Sequence, residues 1–358
     1  MKIAYLAFLD IGYESGVLKK IKSQISTWIC YGNSVKFFVL TPNPIIWSDL
    51  RNISVDIYAY ESLFSRFFKF KELVNAIMKW KPDILYIRFG VYYPPVRKLM
   101  KQFPTILEIN SDYNIENKIM LSKYRRFYHK FLNDIFIRSS TGMVFVTNEL
   151  ADKFAKYNKA YKVISNGIDL SKYPILPPPR NKKGTFIFLG SPGFPWHGVD
   201  KIFIIARKLP NYRFSLIGSS FSDFNEKVPE NVKCYGLLGR KEYDKIIASS
   251  DVAIGALSMH LNGLDEGCTL KVREYLAYGI PTIIGHHDID FLKNNPFLLE
   301  LPNEPDNVIN NIEKIKKFIN IWKGRRVDRK YIAHIDIKYK EKERIKFFNY
   351  IKNFNTLN

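Results

Sequence analysis

The sequence predicts an α/β protein of two domains, each a parallel β-sheet with helices on both faces. Three observations carry this. The chain has 358 residues, about twice the length of a common single domain. Short apolar runs rich in β-branched and aromatic residues alternate with amphipathic stretches, the pattern of strand–helix–strand units. The alternation breaks once, around the proline run at 175–184, and then restarts.

Strands are expected at 2–9, 34–40, 53–59, 83–88, 104–109, 142–146 and 161–164, several of them bounded by turn residues. Between them, helices are expected at 15–31, 69–81, 94–102, 115–138 and 148–157. Beyond the proline run, strands are expected at 185–189, 212–217, 231–235, 251–256 and 281–284. The helices of this half fall at 198–208, 240–249, 268–278 and 304–322. The domain limits read as 1–170, a linker at 171–184, 185–334, and a basic amphipathic C-terminal helix within 335–358 that docks on the N-terminal domain through Ile345, Phe348 and Ile351. Ligands of such sheets bind at the carboxyl ends of the strands. With two domains the expected site is the cleft between them.

Composition narrows the classes. Hydrophobic residues make up 46% of the chain, enough for sizeable cores and too many for a disordered chain. No stretch has the ~18 uninterrupted apolar residues of a spanning helix, and the N-terminus reads as a strand rather than a signal peptide, so a cytoplasmic location is expected. Cys30, Cys234 and Cys268 form no disulfide framework and no zinc-finger spacing. The net charge of +21 divides into +11 in residues 1–170 and +10 in the remainder. Lys, Ile, Asn, Tyr and Phe are all abundant, so part of that charge reflects an AT-rich coding bias. Nucleic acid is not expected as a partner, because no nucleic-acid motif accompanies the charge. An anionic membrane surface is expected. Segments 62–71 (SLFSRFFKFK) and 118–131 interleave aromatic with basic residues, with Ile119, Tyr124, Phe127 and Phe131 beside Lys123, Arg126 and Lys130 on a helix. The alternative for both is a core face with a solvated charged edge.

The most informative stretch is 264–284, LDEGCTLKVREYLAYGIPTII. With a helix starting just after Glu266, that glutamate lies in the loop at the helix N-terminus and Glu274 lies inside the helix. Unpaired amides and the positive dipole end suit an anionic ligand there. A carboxylate deeper in the helix can accept two hydrogen bonds from a vicinal diol, such as that of ribose. Gly279 and Pro281 then end the helix.

With these residues the chain resembles the retaining, family-4 glycosyltransferases of the GT-B fold. Their signature is two glutamates separated by seven residues and an Ala-x-Gly-x-Pro turn, here Ala277 to Pro281. The resemblance extends to SNGID at 165–169, to IFLGSPGFPWHGVD at 187–200, to DVAIGA at 251–256 and to GYESGVLKK at 12–20. It implies two Rossmann-like parallel-sheet domains facing a central cleft. Carried over by position, it implies that Glu274 holds the donor ribose and that Glu266 faces the transferred sugar. Gly267, Cys268, Thr269 and Leu270 then offer backbone near the diphosphate, and Lys271 adds positive charge. Gly16 lets the N-terminal backbone approach the donor. Ser191, Gly193 and His197 line the first C-terminal loop, where the family often has an Arg and a Lys; His197 can donate to phosphate but is only partly charged near neutrality. Neutralisation then falls on Lys271, backbone amides and Lys201. Asn110 and Asp112 stand where the family has a cleft histidine and are expected on the acceptor side.

Each of these residues has an ordinary alternative. A single glutamate is more often solvated, His197 can cap a helix, Lys271 can sit on the surface, and Asn110 with Asp112 can be turn residues. Asp288-Ile289-Asp290 matches an Asp-x-Asp metal motif by three letters only, and His260, His286 and His287 lack a ligand set, so no metal is expected. No hydrolase elbow or P-loop is present. The expected function is retaining transfer of a sugar from a nucleotide-diphosphate-sugar donor to a glycan or lipid-linked hydroxyl in cell-surface polysaccharide synthesis. No cofactor or metal is required, and the protein is expected in the cytoplasm, peripheral at the inner membrane face. A same-fold epimerase or phosphorylase, or a non-catalytic nucleotide-sugar-binding protein, is the alternative.

Overall fold

Apolar runs such as IAYLAF (3–8) and KFFVLT (36–41) bury nearly every residue, which only a sheet covered on both faces satisfies. The computed structural model describes residues 1–9, 15–42, 53–90, 93–113, 115 and 123–356, of which 123–130, 240–241 and 354–356 by backbone alone. The chain forms two units, Met1–Ser165 with Ile337–Asn358, and Asn166–Asp336.

Unit 1 contains β1 (Lys2–Phe8), β2 (Ser34–Thr41), β3 (Ser54–Ala59), β4 (Ile84–Arg88), β5 (Thr105–Ile109), β6 (Gly142–Phe145) and β7 (Ala160–Val163). They form one parallel sheet in the order β3-β2-β1-β4-β5-β6-β7. Its helices are α1 (Gly16–Cys30), α2 (Leu63–Trp80), α3 (Val96–Gln102), α4 (Lys123–Arg138) and α5 (Asn148–Phe154). The helix expected at 115–138 is thus observed from Lys123, and 116–122 lie outside the described residues.

The C-terminal helix Ile337–Thr356 packs on α1 in this unit. Phe348 and Ile351 are fully buried, and Ile345 is partly so. The rings of Tyr5, Trp28, Tyr86 and Phe348 meet at centroid distances of 5.1–5.6 Å. Each such buried side chain contributes about 1.5–3 kcal/mol. The same helix sends Arg344 into the core, where it donates to Tyr86 Oη at 2.6 Å and to Glu341 Oε2 at 2.8 Å. Glu108 on β5 accepts from Tyr5, Gln24 and Lys20 at 2.9–3.0 Å. Burial pushes its pKa up, but Lys20, Arg344 and Arg88 outweigh burial and hold the carboxyl well below its usual range.

Unit 2 contains β8 (Thr185–Leu189), β9 (Arg213–Ile217), β10 (Val232–Cys234), β11 (Val252–Ile254), β13 (Thr282–Ile284) and β15 (Leu298–Glu300), parallel in the order β10-β9-β8-β11-β13-β15. A two-residue ladder pairs β12 (Glu266–Gly267) with β14 (His287–Asp288). The helices are α6 (Val199–Lys208), α7 (Arg240–Ala248), α8 (Leu270–Ala277) and α9 (Ile312–Trp322). One core gathers around Tyr275, Leu276 and Ile280, another around Ile202, Phe203 and Ile319. The helix expected over 304–322 starts only at Ile312, after a 3₁₀ turn at Ile309–Asn311. Strand β15 has three residues, too few for a periodicity to register.

The stretch read from sequence as a linker lies along unit 2. Tyr173 is buried and stacks edge-on against Tyr278 at 5.1 Å, and the Leu176 N–H donates to the Tyr278 carbonyl at 3.1 Å. Asn181 bonds Asp251 Oδ2 at 2.9 Å. Prolines fix an extended backbone at little entropic cost, so such a strap packs readily. No helix among the described residues is long and apolar enough to cross a membrane.

Candidate functional site

In unit 2 the strand order reverses at β8 and β11, and the carboxyl ends of these two strands open the crevice where ligands of such sheets bind. Most of the residues singled out from sequence converge there. Ser191 and Gly193 follow β8 on an exposed loop, and His197 ends that loop. Glu266 and Gly267 form β12, and Thr269 is the N-cap of α8. The Thr269 hydroxyl makes no capping bond and has no partner, so the first-turn amides of α8 are not capped by it. Gly267 is required by a close approach: a Cβ would lie 2.7 Å from His286 Cδ2. Gly279, at φ +79°, ends the helix in the left-handed conformation that glycine adopts freely.

Lys271 and His197 both lie against the Phe188 ring here. The Lys271 ammonium lies 4.3 Å from the Phe188 ring centroid, is buried, and has no hydrogen-bond partner. Burial lowers its pKa to about 7. Burial, with Lys271 beside it, pushes His197 down to about 3. His197 is therefore neutral, not partly charged as the sequence suggested, and its Nδ1 has no partner. A neutral imidazole can donate one N–H to an anion but adds no charge. The Lys271 ammonium and His197 Nδ1, both buried without a hydrogen-bond partner beside a helix N-terminus that Thr269 does not cap, are an arrangement suited to an anion.

Glu274, on the next turn of α8, accepts from the Tyr243 hydroxyl of α7 at 3.0 Å. A carboxylate has about four acceptor positions, so one bond to Tyr243 fixes its rotamer and leaves room for a diol. Tyr243 was not legible as a site residue, because its partner lies 31 positions away and only packing of α7 on α8 joins them. Tyr275 steadies the helix from its buried face by accepting the Leu189 N–H at 2.6 Å.

Cys268 is buried, and burial raises its thiol pKa to about 11, so it is inert. Its carbonyl accepts from Asn166 Nδ2 at 2.9 Å, and its sulfur from the Asn166 N–H at 3.3 Å. The SNGID motif thereby bolts the loop before α8. Arg273 completes the joint. It donates to the Asn166 carbonyl at 2.7 Å and pairs with Asp288 at 2.7 and 2.9 Å and with Asp290. The Asp-x-Asp carboxylates are thus spent on a guanidinium. Lys201 is also spent: its three N–H groups reach the Leu257 and Glu304 carbonyls and Asn307 Oδ1 at 2.8–3.1 Å. It is not available to a phosphate, contrary to the sequence reading.

Three expected site residues belong to unit 1. Gly16 is the exposed first residue of α1, capped by Ser15, whose Oγ accepts the Leu18 N–H at 3.1 Å; the preceding residues 10–14 lie outside the described residues. Asn110 Oδ1 accepts from Lys20 at 2.6 Å, and its Nδ2 lies 3.4 Å from the Glu108 carbonyl, so the side chain is tied into the Glu108 network. Asp112 is buried beside Lys153 at 3.7 Å.

No family model and no curated protein matches the sequence. Solved structures do match the fold. The apo lipopolysaccharide outer core galactosyltransferase WaaB is 15% identical, with 99% of this chain and 100% of that one covered and a TM-score of 0.67. A glycosyltransferase from Rickettsia africae is 14% identical over 98% of both chains, with a TM-score of 0.72. Anabaena HepE in complex with UDP and glucose is 14% identical over 98% of this chain and 99% of that one, with a TM-score of 0.66. The likeness establishes the fold: two parallel-sheet α/β units of the GT-B glycosyltransferase architecture.

Proposed function

We propose that the chain is a retaining, family-4-type glycosyltransferase that moves a sugar from a nucleotide-diphosphate-sugar to a hydroxyl acceptor in glycan synthesis. The observation that carries this is the pairing of an unsatisfied, buried Lys271 and His197 at the α8 N-terminus with a Glu274 held by Tyr243 one turn further on. The first group suits a diphosphate and the second a ribose diol. Two of the similar structures, a galactosyltransferase and a complex with UDP and glucose, agree with such a donor.

In this reading Glu274 accepts both ribose hydroxyls, and Glu266 hydrogen-bonds the transferred sugar. As the glycosidic bond breaks, negative charge grows on the departing diphosphate. The Lys271 ammonium, the His197 N–H and the α8 amides lie ready to stabilise it without reorganising. The acceptor hydroxyl attacks from the face the diphosphate leaves, and a departing phosphate oxygen takes its proton. Configuration is retained, and no dedicated base or metal is needed. The test is a panel of nucleotide sugars, with and without acceptor and EDTA, read as released nucleotide diphosphate. Release from one or more donors that survives EDTA supports the reading. Binding without release favours a nucleotide-sugar-binding protein, and loss in EDTA restored by manganese overturns the charge assignment.

Donor binding should also depend on pH through Lys271. With a pKa of about 7 in the free protein, the ammonium is half deprotonated at neutrality. A bound diphosphate favours the charged form and raises that pKa. Above pH 7, binding must therefore take up a proton, and affinity should fall toward about tenfold per pH unit. Below pH 7 it should level off. Calorimetry with an unhydrolysed donor in buffers of different ionisation enthalpy measures the uptake. A flat profile from pH 6 to 9 removes Lys271 from the donor site.

An anionic membrane surface is proposed as a partner of unit 1. Leu63 and Phe64 on the first turn of α2 are each 75% exposed, and Phe67 and Phe68 follow at about half exposure, beside Arg66, Lys69 and Lys71. Further along α2, Phe70, Leu73, Val74 and Ile77 are buried. Of the second expected segment, 118–131, residues 118–122 lie outside the described residues and 123–130 are described by backbone alone, within α4. Each basic residue near an anionic surface contributes about 1 kcal/mol, and inserted rings add to it. Sedimentation with liposomes should rise with anionic lipid, fall with salt, and drop in Phe64→Asp/Phe68→Asp. A protein that stays in the supernatant at low salt does not bind membrane through α2.

A further inference from the structure

We propose that Glu300 and Asn303, at and just beyond the end of β15, are positioning residues for Glu266 and so for recognition of the sugar end of the donor. The inference rests on the donor reading above, in which Glu266 hydrogen-bonds the transferred sugar.

Glu266 stands on a ladder too short to hold itself. β12 and β14 pair over two residues, Glu266 with His287 and Gly267 with Asp288, apart from the six-stranded sheet. Two short strands alone are marginal in water. The His287 N–H joins β14 to the Glu266 loop by donating to the Asp265 carbonyl at 2.9 Å. The next amide along, that of Asp288, donates to Glu300 Oε1 at 3.1 Å. The Glu300 carboxylate thus satisfies β14 where a third strand would. It also accepts from His287 Nδ1 at 3.1 and 3.2 Å. A carboxylate only accepts, so Nδ1 carries the proton.

Asn303 holds the turn before β12. Its Nδ2 donates to the Leu264 carbonyl at 2.8 Å and to Asp265 Oδ1 at 2.7 Å, and its Oδ1 accepts the His260 N–H at 2.8 Å. One segment of four residues, Glu300 to Asn303, therefore grips the Glu266 loop twice, once through β14 and once directly. The nucleotide end is anchored by other bonds. Glu274 and Tyr275 on α8 are held by the Tyr243 hydroxyl and the Leu189 N–H. Arg273 grips Asp288 from the α8 side at 2.7 and 2.9 Å. Loss of Glu300 should loosen the ladder without unseating α8.

The test compares nucleotide sugars with their own nucleoside diphosphates on the full chain. Calorimetry with UDP-glucose, UDP-galactose, UDP-N-acetylglucosamine and GDP-mannose, against UDP and GDP, gives the affinity ratio of donor to bare diphosphate. In Glu300→Ala that ratio should fall about tenfold, the equivalent of one good hydrogen bond to a charged group. Affinity for the diphosphate itself should stay within about twofold. Glu300→Gln keeps an acceptor for the Asp288 N–H and can donate to the other His287 tautomer, so it should recover most of the ratio. Asn303→Ala breaks the second grip and should reproduce the loss. In the free protein, hydrogen exchange should show the Asp288 amide less protected in Glu300→Ala, with β8 and β13 unchanged. A merely stabilising pair would lower donor and diphosphate affinity together. The proposal is overturned if the ratio is parental in both alanine variants, if diphosphate affinity falls as far as donor affinity, if Glu300→Gln is as weak as Glu300→Ala, or if the Asp288 amide keeps its protection. Should Glu300→Ala not fold, the ratio in Asn303→Ala decides. A parent protein that binds none of these donors or diphosphates overturns the donor reading, and this role of Glu300 with it.

Discussion

Glu274→Ala should lower kcat/KM by about a hundredfold to ten-thousandfold and leave the fold intact. Two hydrogen bonds from a ribose diol to a carboxylate contribute about 1.5–3 kcal/mol each, and every 1.4 kcal/mol is about tenfold. The structural loss is small by comparison. Glu274 is partly exposed, and its described partner is the Tyr243 hydroxyl at 3.0 Å, a bond of about 1 kcal/mol. Tyr243→Phe separates the roles. It keeps the carboxylate and removes only the group that orients it, so KM should rise several-fold with kcat nearly unchanged. Circular dichroism and melting of both variants should match the parent. Near-parental turnover in Glu274→Ala would remove the donor site from α8, whatever reaction the protein performs.

The fold was legible because it depends on period and punctuation. Runs such as IAYLAF and KFFVLT announce strands buried on both faces, and Gly279 with Pro281 announces the end of α8. The region of the candidate site could be proposed for the same reason, since an acidic pair around a helix start can be read along the chain. Three things were not. The state of His197 and Lys271 is decided by burial next to each other, and sequence separation carries no dielectric. The engagement of Lys201 and of Asp288 and Asp290 depends on partners up to 106 positions away. The strap at 171–184 reads as a linker because proline-rich composition looks the same whether the segment is solvated or packed. Arg273 left a faint signal: a charged residue beside Glu274 in an otherwise apolar helix face needs a counter-charge.

That counter-charge makes Arg273→Ala the most destabilising single change expected in unit 2. Arg273 and Asp288 are both fully buried, and Asp290 is nearly so. The guanidinium fork meets Asp288 with two nitrogens, a geometry that lysine cannot reproduce. Removing it leaves a buried carboxylate without its cation and the Asn166 carbonyl without its donor. Breaking a buried pair from one side costs about 3–5 kcal/mol. In a unit of this size that lowers the melting temperature by roughly 2–4 °C per kcal/mol. Because two units need not unfold together, hydrogen exchange at β8 and β13 is the sharper readout. Protection there should fall while β1 and β4 in unit 1 keep theirs. Arg273→Lys should lie between the two, keeping charge but losing the fork. Donor affinity should fall with stability, since Asn166, the bolt of the loop before α8, is held by Arg273 and in turn holds Cys268. A loss below about 1 kcal/mol in Arg273→Ala would mean that Asp288 finds other partners when the guanidinium is gone, and would return the Asp288–Asp290 pair to candidacy as a cation site.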